Sequence, residues 1–311
     1  LLLHKLKMYG IENQEVQLIK PYLEDRQQTV VQGNDKPNFS YIQTGVPQGS
    51  VLGPLLFIIA MNDFAYSMPC RTVLYADDTT LLNSNKDLQQ LVSDDHILME
   101  RALEWFKGNN LVVNDSKTEN LFLSLDNNIC NDCETKSVKL LGIYLDNKLS
   151  WNIHVDHLCK KIARVMFLLR RLKFCVDKQT LIMAYYAFFH SRIWYGIRVW
   201  GNSSATKKVF LGQRKALRVI EGIKDSMSCL PLFKNMQIMT LPSLYIFSCL
   251  TNVKENLDCF KSKQTVHHYS TRKNFNLDLV TTRLQKTQAS HVCMKTKLFN
   301  KLPEAAFSTN T

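Results

Sequence analysis

Nothing in the 311-residue sequence is both long and apolar enough to read as a membrane-spanning helix. Val51–Met61 is apolar but falls short of the roughly 20 residues that a span needs. Leu181–Trp200 is long enough, yet it carries His190, Arg192 and Arg198, which are costly in lipid, so a core helix of a soluble domain is the better reading. No internal repeat is visible. The nine cysteines (Cys70, Cys130, Cys133, Cys159, Cys175, Cys229, Cys249, Cys259 and Cys293) are odd in number and irregular in spacing. That argues against a disulfide framework and for free thiols in a reducing compartment. No His/Asp partner adjoins Ser50, so a nucleophilic triad is not indicated. Aspartate is absent before Asp25.

What the sequence does hold is a globular balance, 45% hydrophobic and 21% charged, in a chain long enough for two domains. The net charge of +12 is unevenly placed. Residues 1–150 carry 13 Lys/Arg against 19 Asp/Glu, residues 151–224 carry 15 against 3, and residues 225–311 carry 11 against 5. An acidic first half beside a basic remainder suggests a metal or catalytic region next to one that grips a polyanion. The plainer reading is a solvated helical surface.

Along the chain, Leu1–Ile11 reads as the middle of a helix ending at Gly10. A second helix is expected over Asn13–Leu23, a strand near Gln27–Gln32, a turn at Gly33–Pro37 and an extended piece at Phe39–Gln43. A Gly/Pro-rich loop then feeds an apolar helix from about Val51 to Phe64, with Pro54 in its first turn, where a missing N–H does no harm. The β-formers around Ala76-Asp77-Asp78 predict two antiparallel strands joined by a tight turn. Helical spacing of Leu88, Leu91, Val92, Leu98, Leu103 and Phe106 predicts a helix over Asp87–Lys107. A strand is expected at Asn120–Ser124, then a polar insert at Asp126–Lys136 and an apolar segment, VKLLGIYLD. After Trp151 the pattern turns helical and basic, with helices over Asn152–Leu172, Lys178–Arg198 and Ala205–Ile220. Further helices are expected around Leu241–Leu250 and up to Leu302. The domain boundary falls at about 148–151.

Two adjacent aspartates at a turn are unusual company for apolar strands, since Asp is disfavoured in strands; serving the turn itself is the alternative. Held side by side, the carboxylates repel unless a cation neutralises them. Mg²⁺, with Mn²⁺ as the alternative, takes oxygen ligands and shares them with substrate phosphates. A pair of such ions can activate a 3′-hydroxyl and stabilise departing pyrophosphate. Alternate strand residues face opposite sides, so Asp77 is expected to be the better ligand, and a two-metal clamp usually needs another carboxylate from a different strand.

At these residues the sequence resembles the reverse transcriptases of non-LTR, LINE-like retrotransposons of arthropods, which are transposable elements. Four blocks in order carry the resemblance. GVPQGSVLGPLLF at Gly45–Phe57 is similar to palm motif B, and YADD at Tyr75–Asp78 to motif C. NDSKT, from Asn114 through Lys117 to Thr118, is similar to the motif D loop, and LLGIYLD at Leu140–Asp146 to motif E, the primer grip. Beyond the palm, LSWNIHVDHLCKKIARVMFLLRRLK resembles the first thumb helix, and LFNKLPEAAF resembles the region after the thumb. The resemblance implies an α+β chain: a partial right-hand polymerase palm over 1–150, lacking fingers and motif A, then a basic helical thumb over 151–224 and a C-terminal helical extension over 225–311.

The resemblance also implies roles. Asp77 and Asp78 would hold the metal, and Lys117 would protonate departing pyrophosphate. Gly45, Pro47, Gln48, Gly49 and Ser50 would line the pocket for the incoming nucleotide and template base, with Tyr75 and Ala76 near the primer end. Leu140, Leu141, Gly142, Ile143, Tyr144 and Leu145 would hold the primer backbone. Lys160, Lys161, Arg164, Arg170, Arg171 and Lys173 would contact the RNA–DNA hybrid, in a salt-sensitive manner. Partners would be an RNA template, a DNA primer and deoxynucleoside triphosphates, in the nucleus for target-primed synthesis or in a cytoplasmic ribonucleoprotein, with no membrane. The family's motif A aspartate lies before a helix like Leu1–Ile11 and has no counterpart here, so this chain is expected to be inactive as it stands. Oligomeric state is not legible.

Other candidates are weaker. Cys130-x2-Cys133 with His154-x2-His157 has a zinc-like look across a long gap; free cysteines and helix-borne histidines are the favoured reading, and no zinc is expected. His267 and His268 read as surface or RNA-facing. Trp194, Tyr195 and Trp200 form either a base-stacking platform or, by the favoured reading, ordinary core. The rival functional readings are a noncatalytic nucleic-acid-binding derivative, a viral RNA-dependent RNA polymerase and a group II intron maturase. Ala76 before the aspartates and the PQGS block speak against the viral enzyme.

Overall fold

The structure, a computed structural model, describes residues 1–12, 14–29, 31, 33, 38–42, 45–47, 49–124, 136–223, 228–262 and 276–303. The chain is α+β and divides into two compact units, Leu1–Thr118 and Glu119–Thr311.

In the first unit, α1 (Leu2–Met8) and α2 (Gln14–Leu23) lead into a short antiparallel pair, β1 (Arg26–Gln28) and β2 (Ser40–Ile42), with Arg26 opposite Ile42. The expected Val51–Phe64 helix is α3 (Leu52–Met61) followed, after a break at Asn62-Asp63, by a single turn, α4 (Phe64–Ser67). The hairpin β3 (Arg71–Tyr75) and β4 (Asp78–Leu82) comes next, then the long α5 (Leu88–Gly108), whose first turn is capped by Asp87 accepting from the Gln89 N–H at 2.9 Å. Met61, Phe64, Met68 and Ala102 form the core, with Trp105 and Phe106 packed on Phe64 at 4.9 Å between ring centroids. Phe57 of α3 and Leu74 and Leu81 of the hairpin join the same cluster, so the helix after the Gly/Pro loop and the acidic hairpin stand on one core. Lys5 of α1 donates to the Ala60 carbonyl at 2.7 Å, pairs with Asp63 at 2.6 Å and lies over the Trp105 ring.

The second unit opens on the hairpin β5 (Ser137–Leu140) and β6 (Ile143–Asp146). Residues 120–124, expected as a strand, have no regular structure. Helix α6 (Asn152–Leu172) buries Val155, Leu158, Ile162, Val165, Met166 and Leu169, the three-and-four spacing of one helical face. The expected Lys178–Arg198 helix is interrupted. It runs as α7 (Lys178–Ala184), a π-helical stretch Tyr185–His190, α8 (Ser191–Trp194), a break at Tyr195-Gly196, and α9 (Ile197–Trp200). Gly196 has φ +62°, so the backbone turn there calls for glycine, and the Ile143 side chain of β6 packs close beside it. Next come α10 (Thr206–Glu221), α11 (Leu230–Asn235), α12 (Leu241–Glu255), α13 (Gln285–Ala289) and α14 (His291–Phe299). Gln213, fully buried on α10, ties the core together: its amide donates to Tyr185 Oη at 3.0 Å and the Met239 carbonyl at 2.9 Å and accepts from the Leu241 N–H at 2.9 Å. No helix among the described residues is long and apolar enough to cross a membrane.

Candidate active site and nucleic-acid interface

The acidic turn is a two-residue connection. Tyr75 pairs with Asp78, leaving Ala76 and Asp77 at the tip. Ala76 has φ +51°, the left-handed region that a side chain enters at a cost of roughly 1–2 kcal/mol. Along β3 the exposure alternates: Thr72 and Leu74 face inward, Arg71, Val73 and Tyr75 outward. Tyr75 is 64% exposed, and Asp77 and Asp78 are both open to solvent. Two neighbouring carboxylates thus stand exposed at the end of the hairpin. Among the described residues no group of three or more His, Cys, Asp or Glu side chains converges to hold a metal.

The loop before α3 places Gly45 (φ +82°), Pro47, Gly49 (φ +78°) and Ser50 ahead of the helix; Gln48 lies outside the described residues. Arg26 donates to the Gly45 carbonyl, tying the loop to β1. The Ser50 hydroxyl accepts from the Gly53 N–H at 3.0 Å, which satisfies one of the free donors at the head of α3. Lys117 sits exposed in a 3₁₀ turn, Asp115–Lys117, whose entry is braced by Ser116 Oγ donating to Asn114 Oδ1 at 2.6 Å.

In the second unit, Leu140 pairs with Ile143 across a two-residue turn, Leu141 (φ +46°) and Gly142 (φ +81°), the doubly left-handed geometry that suits a hairpin. Three contacts fix this hairpin. The Tyr195 hydroxyl donates to the Leu141 carbonyl. His154 Nδ1 accepts from the Tyr144 N–H at 3.4 Å while the His157 ring stacks on Tyr144 at 4.0 Å. The buried Asp146 carboxylate accepts from the backbone N–H groups of Lys148, Ser150 and Trp151 at 2.9–3.1 Å and from Ser150 Oγ, which pins the end of β6 to the start of α6. Burial, then the nearby Lys161 and His157, push His154 down to a pKa of about 4. These histidines are therefore occupied with the hairpin. Cys130 and Cys133, His267 and His268 lie outside the described residues.

On α6 the side opposite the core carries Lys160, Lys161, Arg164, Arg170 and Arg171, all exposed, with Lys173 half-buried just beyond the helix. None of the six is in an ion pair among the described residues; the one α6 pair formed there joins Asp156 to Lys208 of α10 at 2.7 Å. A row of cations with free valence along a rigid helix is suited to a phosphate backbone. Of the three aromatics weighed as a platform, Trp200 is fully buried and belongs to the core, whereas Trp194 and Tyr195 are 39% and 54% exposed and do not.

Sequence reasoning missed Tyr195, His154 and Asp146 as organisers of the β5–β6 hairpin. The available signals were a Tyr-Gly pair inside an otherwise helical pattern and an Asp four residues ahead of Ser150.

The exposed two-carboxylate hairpin thus shares a core with the helix that follows the Gly45–Ser50 loop. Residues 1–145 match the family described as reverse transcriptase (RNA-dependent DNA polymerase). That match spans just under half of the chain, and with the relatives that follow it supports a LINE-like reverse transcriptase for this chain. It is similar to the RNA-directed DNA polymerase from mobile element jockey of Drosophila melanogaster, at 28% identity over 66% of this chain and 25% of the relative. It is likewise similar to the probable RNA-directed DNA polymerases from transposon BS (31% identity, 65% of this chain, 25% of the relative) and from transposon X-element (27%, 72% and 27%), both of Drosophila melanogaster. The chain spans about a quarter of the length of these relatives.

Proposed function

We propose that this chain forms part of the palm and the thumb of a LINE-like reverse transcriptase that copies an RNA template from a DNA primer using deoxynucleoside triphosphates. The observation that carries the reading is the Tyr75–Asp78 tip, with its two carboxylates exposed on a hairpin that shares a core with the helix following Gly45–Ser50. Asp77 and Asp78 are the residues that would hold Mg²⁺ or Mn²⁺. The donor set fits a hard cation, since both side chains offer carboxylate oxygens and both are open to solvent. Bound there, such an ion would supply charge neutralisation for a 3′-hydroxyl and a triphosphate.

The remaining roles are those that the resemblance to this family implies. Gly45, Pro47, Gln48, Gly49 and Ser50 line the nucleotide and template pocket, and Tyr75 and Ala76 meet the primer end. Lys117, exposed on its turn, supplies the proton for pyrophosphate. Leu140–Leu145 hold the primer backbone as residues of the palm, 1–150. The thumb, 151–224, lays Lys160, Lys161, Arg164, Arg170, Arg171 and Lys173 along the hybrid, and 225–311 extends it. Work of this kind belongs in the nucleus, at a nicked chromosomal end.

Two carboxylates are one short of the set that a two-metal clamp needs, and among the described residues no third acid joins them. The chain by itself is therefore expected to bind RNA–DNA hybrid but not to extend a primer. Primer extension on an RNA template with Mg²⁺, run beside a hybrid gel shift, tests both statements. Clear product would overturn the inactivity, and absence of hybrid binding would overturn the thumb. Binding without extension also suits a noncatalytic nucleic-acid-binding derivative, a reading that the exposed cations of α6, in no ion pair among the described residues, support. Adding the missing acid on a separate segment would distinguish the two: restored extension favours the polymerase part.

A further inference from the structure

Behind the break at Tyr195-Gly196 lies a cleft of about 290 Å³ lined by Trp194, Tyr195 and Arg198 on one side and Ser248, Asn252 and Glu255 on the other. The latter three come from α12, a helix otherwise apolar at its core face, and their spacing of four and then three residues sets them in one polar stripe. Trp194 is backed by His190, with rings 6.1 Å apart and 14° from parallel, so the indole is held as a plate and keeps 39% of its surface free. Neither Arg198 nor Glu255 has an ion-pair partner among the described residues, and Ser248, though only 8% exposed, makes no hydrogen bond there. The cleft therefore offers a flat aromatic face, a free cation, a free carboxylate and a spare hydroxyl.

That combination selects its ligand by elimination. An apolar ligand would leave Arg198, Glu255 and Ser248 desolvated without partners. A bare phosphate would meet Glu255. An unpaired base stacks on Trp194 or Tyr195, as every base has a π-face, while its phosphate meets Arg198. The carboxylate only accepts, so it favours the base with two adjacent N–H donors on its edge, which is guanine. The volume sits just below the range of about 300–1,000 Å³ usual for ligand pockets, which suits one base and not a longer stretch.

We propose that this cleft holds a single unpaired guanine of a nucleic-acid strand, stacked on Trp194 beside Tyr195, read by Glu255 and anchored through its phosphate by Arg198. The assignment rests on the reading of the chain as a nucleic-acid polymerase segment and deepens it. Tyr195 is shared between two structures: its ring lines the cleft, and its hydroxyl holds the Leu141 carbonyl at the β5–β6 turn. A base in the cleft would thus steady the turn assigned to the primer.

The test uses the full chain with guanosine 5′-monophosphate by calorimetry. Parallel arms use the adenosine, cytidine and uridine monophosphates, and photocrosslinking is done with RNA and DNA oligonucleotides carrying 6-thioguanine. The nucleoside monophosphate of guanine is expected to bind about ten-fold more tightly than the other three, and Trp194→Ala and Glu255→Gln each to cost about ten-fold, with Trp194→Phe retaining most of the binding. Crosslinks are expected on 194–198 or 248–255, and the RNA and DNA arms identify which strand supplies the base. Equal binding of all four nucleotides, or crosslinks confined to 160–173, would overturn the pocket. The thumb reading fails separately, if Lys160→Gln with Lys161→Gln leaves hybrid binding intact.

Discussion

Acidification should loosen the β5–β6 hairpin through one side chain. His154 is 6% exposed, and its Nδ1 accepts from the Tyr144 N–H, a bond that only the neutral ring can take. Burial, with Lys161 and His157 adding to it, lowers its pKa from 6.5 to about 4. The unfolded chain takes up a proton near pH 6.5 and the folded one only near pH 4. Over that window the unfolded state binds more protons, and stability falls as pH falls. A shift of that size corresponds to at most roughly 3.4 kcal/mol at about 1.4 kcal/mol per unit. Partial solvent access to the helix surface, where Lys161 is exposed, brings the expectation down to about 2 kcal/mol. Urea denaturation followed by tryptophan fluorescence, at steps from pH 7.5 to 4.5, measures the loss. Trp200 lies 5.7 Å from His154 and Trp151 begins α6, so the signal reports on this region. His154→Asn keeps an acceptor for the Tyr144 N–H and cannot titrate. The wild-type chain should lose about 1.5 kcal/mol more than the variant between pH 6.5 and 4.5, most of that total. Equal pH slopes for the two proteins would refute the reasoning, because the remaining histidines are common to both.

Gln213→Leu should cost about 3 kcal/mol, since it strands the Tyr185 hydroxyl, the Met239 carbonyl and the Leu241 N–H inside the core; the denaturation midpoint reads it. Asp146→Ala should cost a similar amount, about 3 kcal/mol, by freeing the N–H groups that the carboxylate gathers, and hydrogen exchange at Lys148, Ser150 and Trp151 should rise selectively. Gly196→Ala should destabilise by about 1–2 kcal/mol from its φ of +62°, with the flexible end of Ile143 moving aside; no loss would mean that the break is not held in the left-handed region. Lys160→Gln, Lys161→Gln and Arg164→Gln combined should flatten the dependence of log affinity for hybrid on log salt by up to about 3, roughly 0.9 for each phosphate no longer neutralised.

Much of the architecture can be read directly from residue order. The bounds expected for α6 coincide with those observed, because Val155, Leu158, Ile162, Val165 and Leu169 mark one face without ambiguity and the cations mark the other. The acidic hairpin is equally legible, since apolar β-formers flank two residues that strands disfavour. What escaped was set by tertiary contact. A helix over Lys178–Arg198 satisfies every local rule except the glycine at 196, where φ is +62° and the helix breaks. Residues 120–124 have strand-like composition but no regular structure, since strand propensity depends on context more than on composition. Trp194 and Tyr195 looked like core for their apolar neighbours, yet the same break turns them outward while Trp200, one turn further on, closes the core. Ser50 shows the reverse difficulty: a residue picked for a role toward nucleotide serves the helix, accepting from Gly53, so a loss of nucleotide binding on its replacement must be separated from a loss of that contact.

The β5–β6 hairpin depends most fully on distant residues. By sequence it resembles the last motif of the palm, yet among the described residues the side chains that hold it include Tyr195 from the break after α8, His154 and His157 from α6, and Asp146 at the loop that begins α6. Two strands alone are marginal in water, so the hairpin relies on those contacts for its shape. Its register is therefore a property of the helices. Amide protection at Leu140 and Ile143 should follow that of α6 and disappear together with it in mild denaturant. If the hairpin amides exchanged independently of α6, while Asp146 and Tyr195 remained intact, the coupling inferred from these three contacts would not hold.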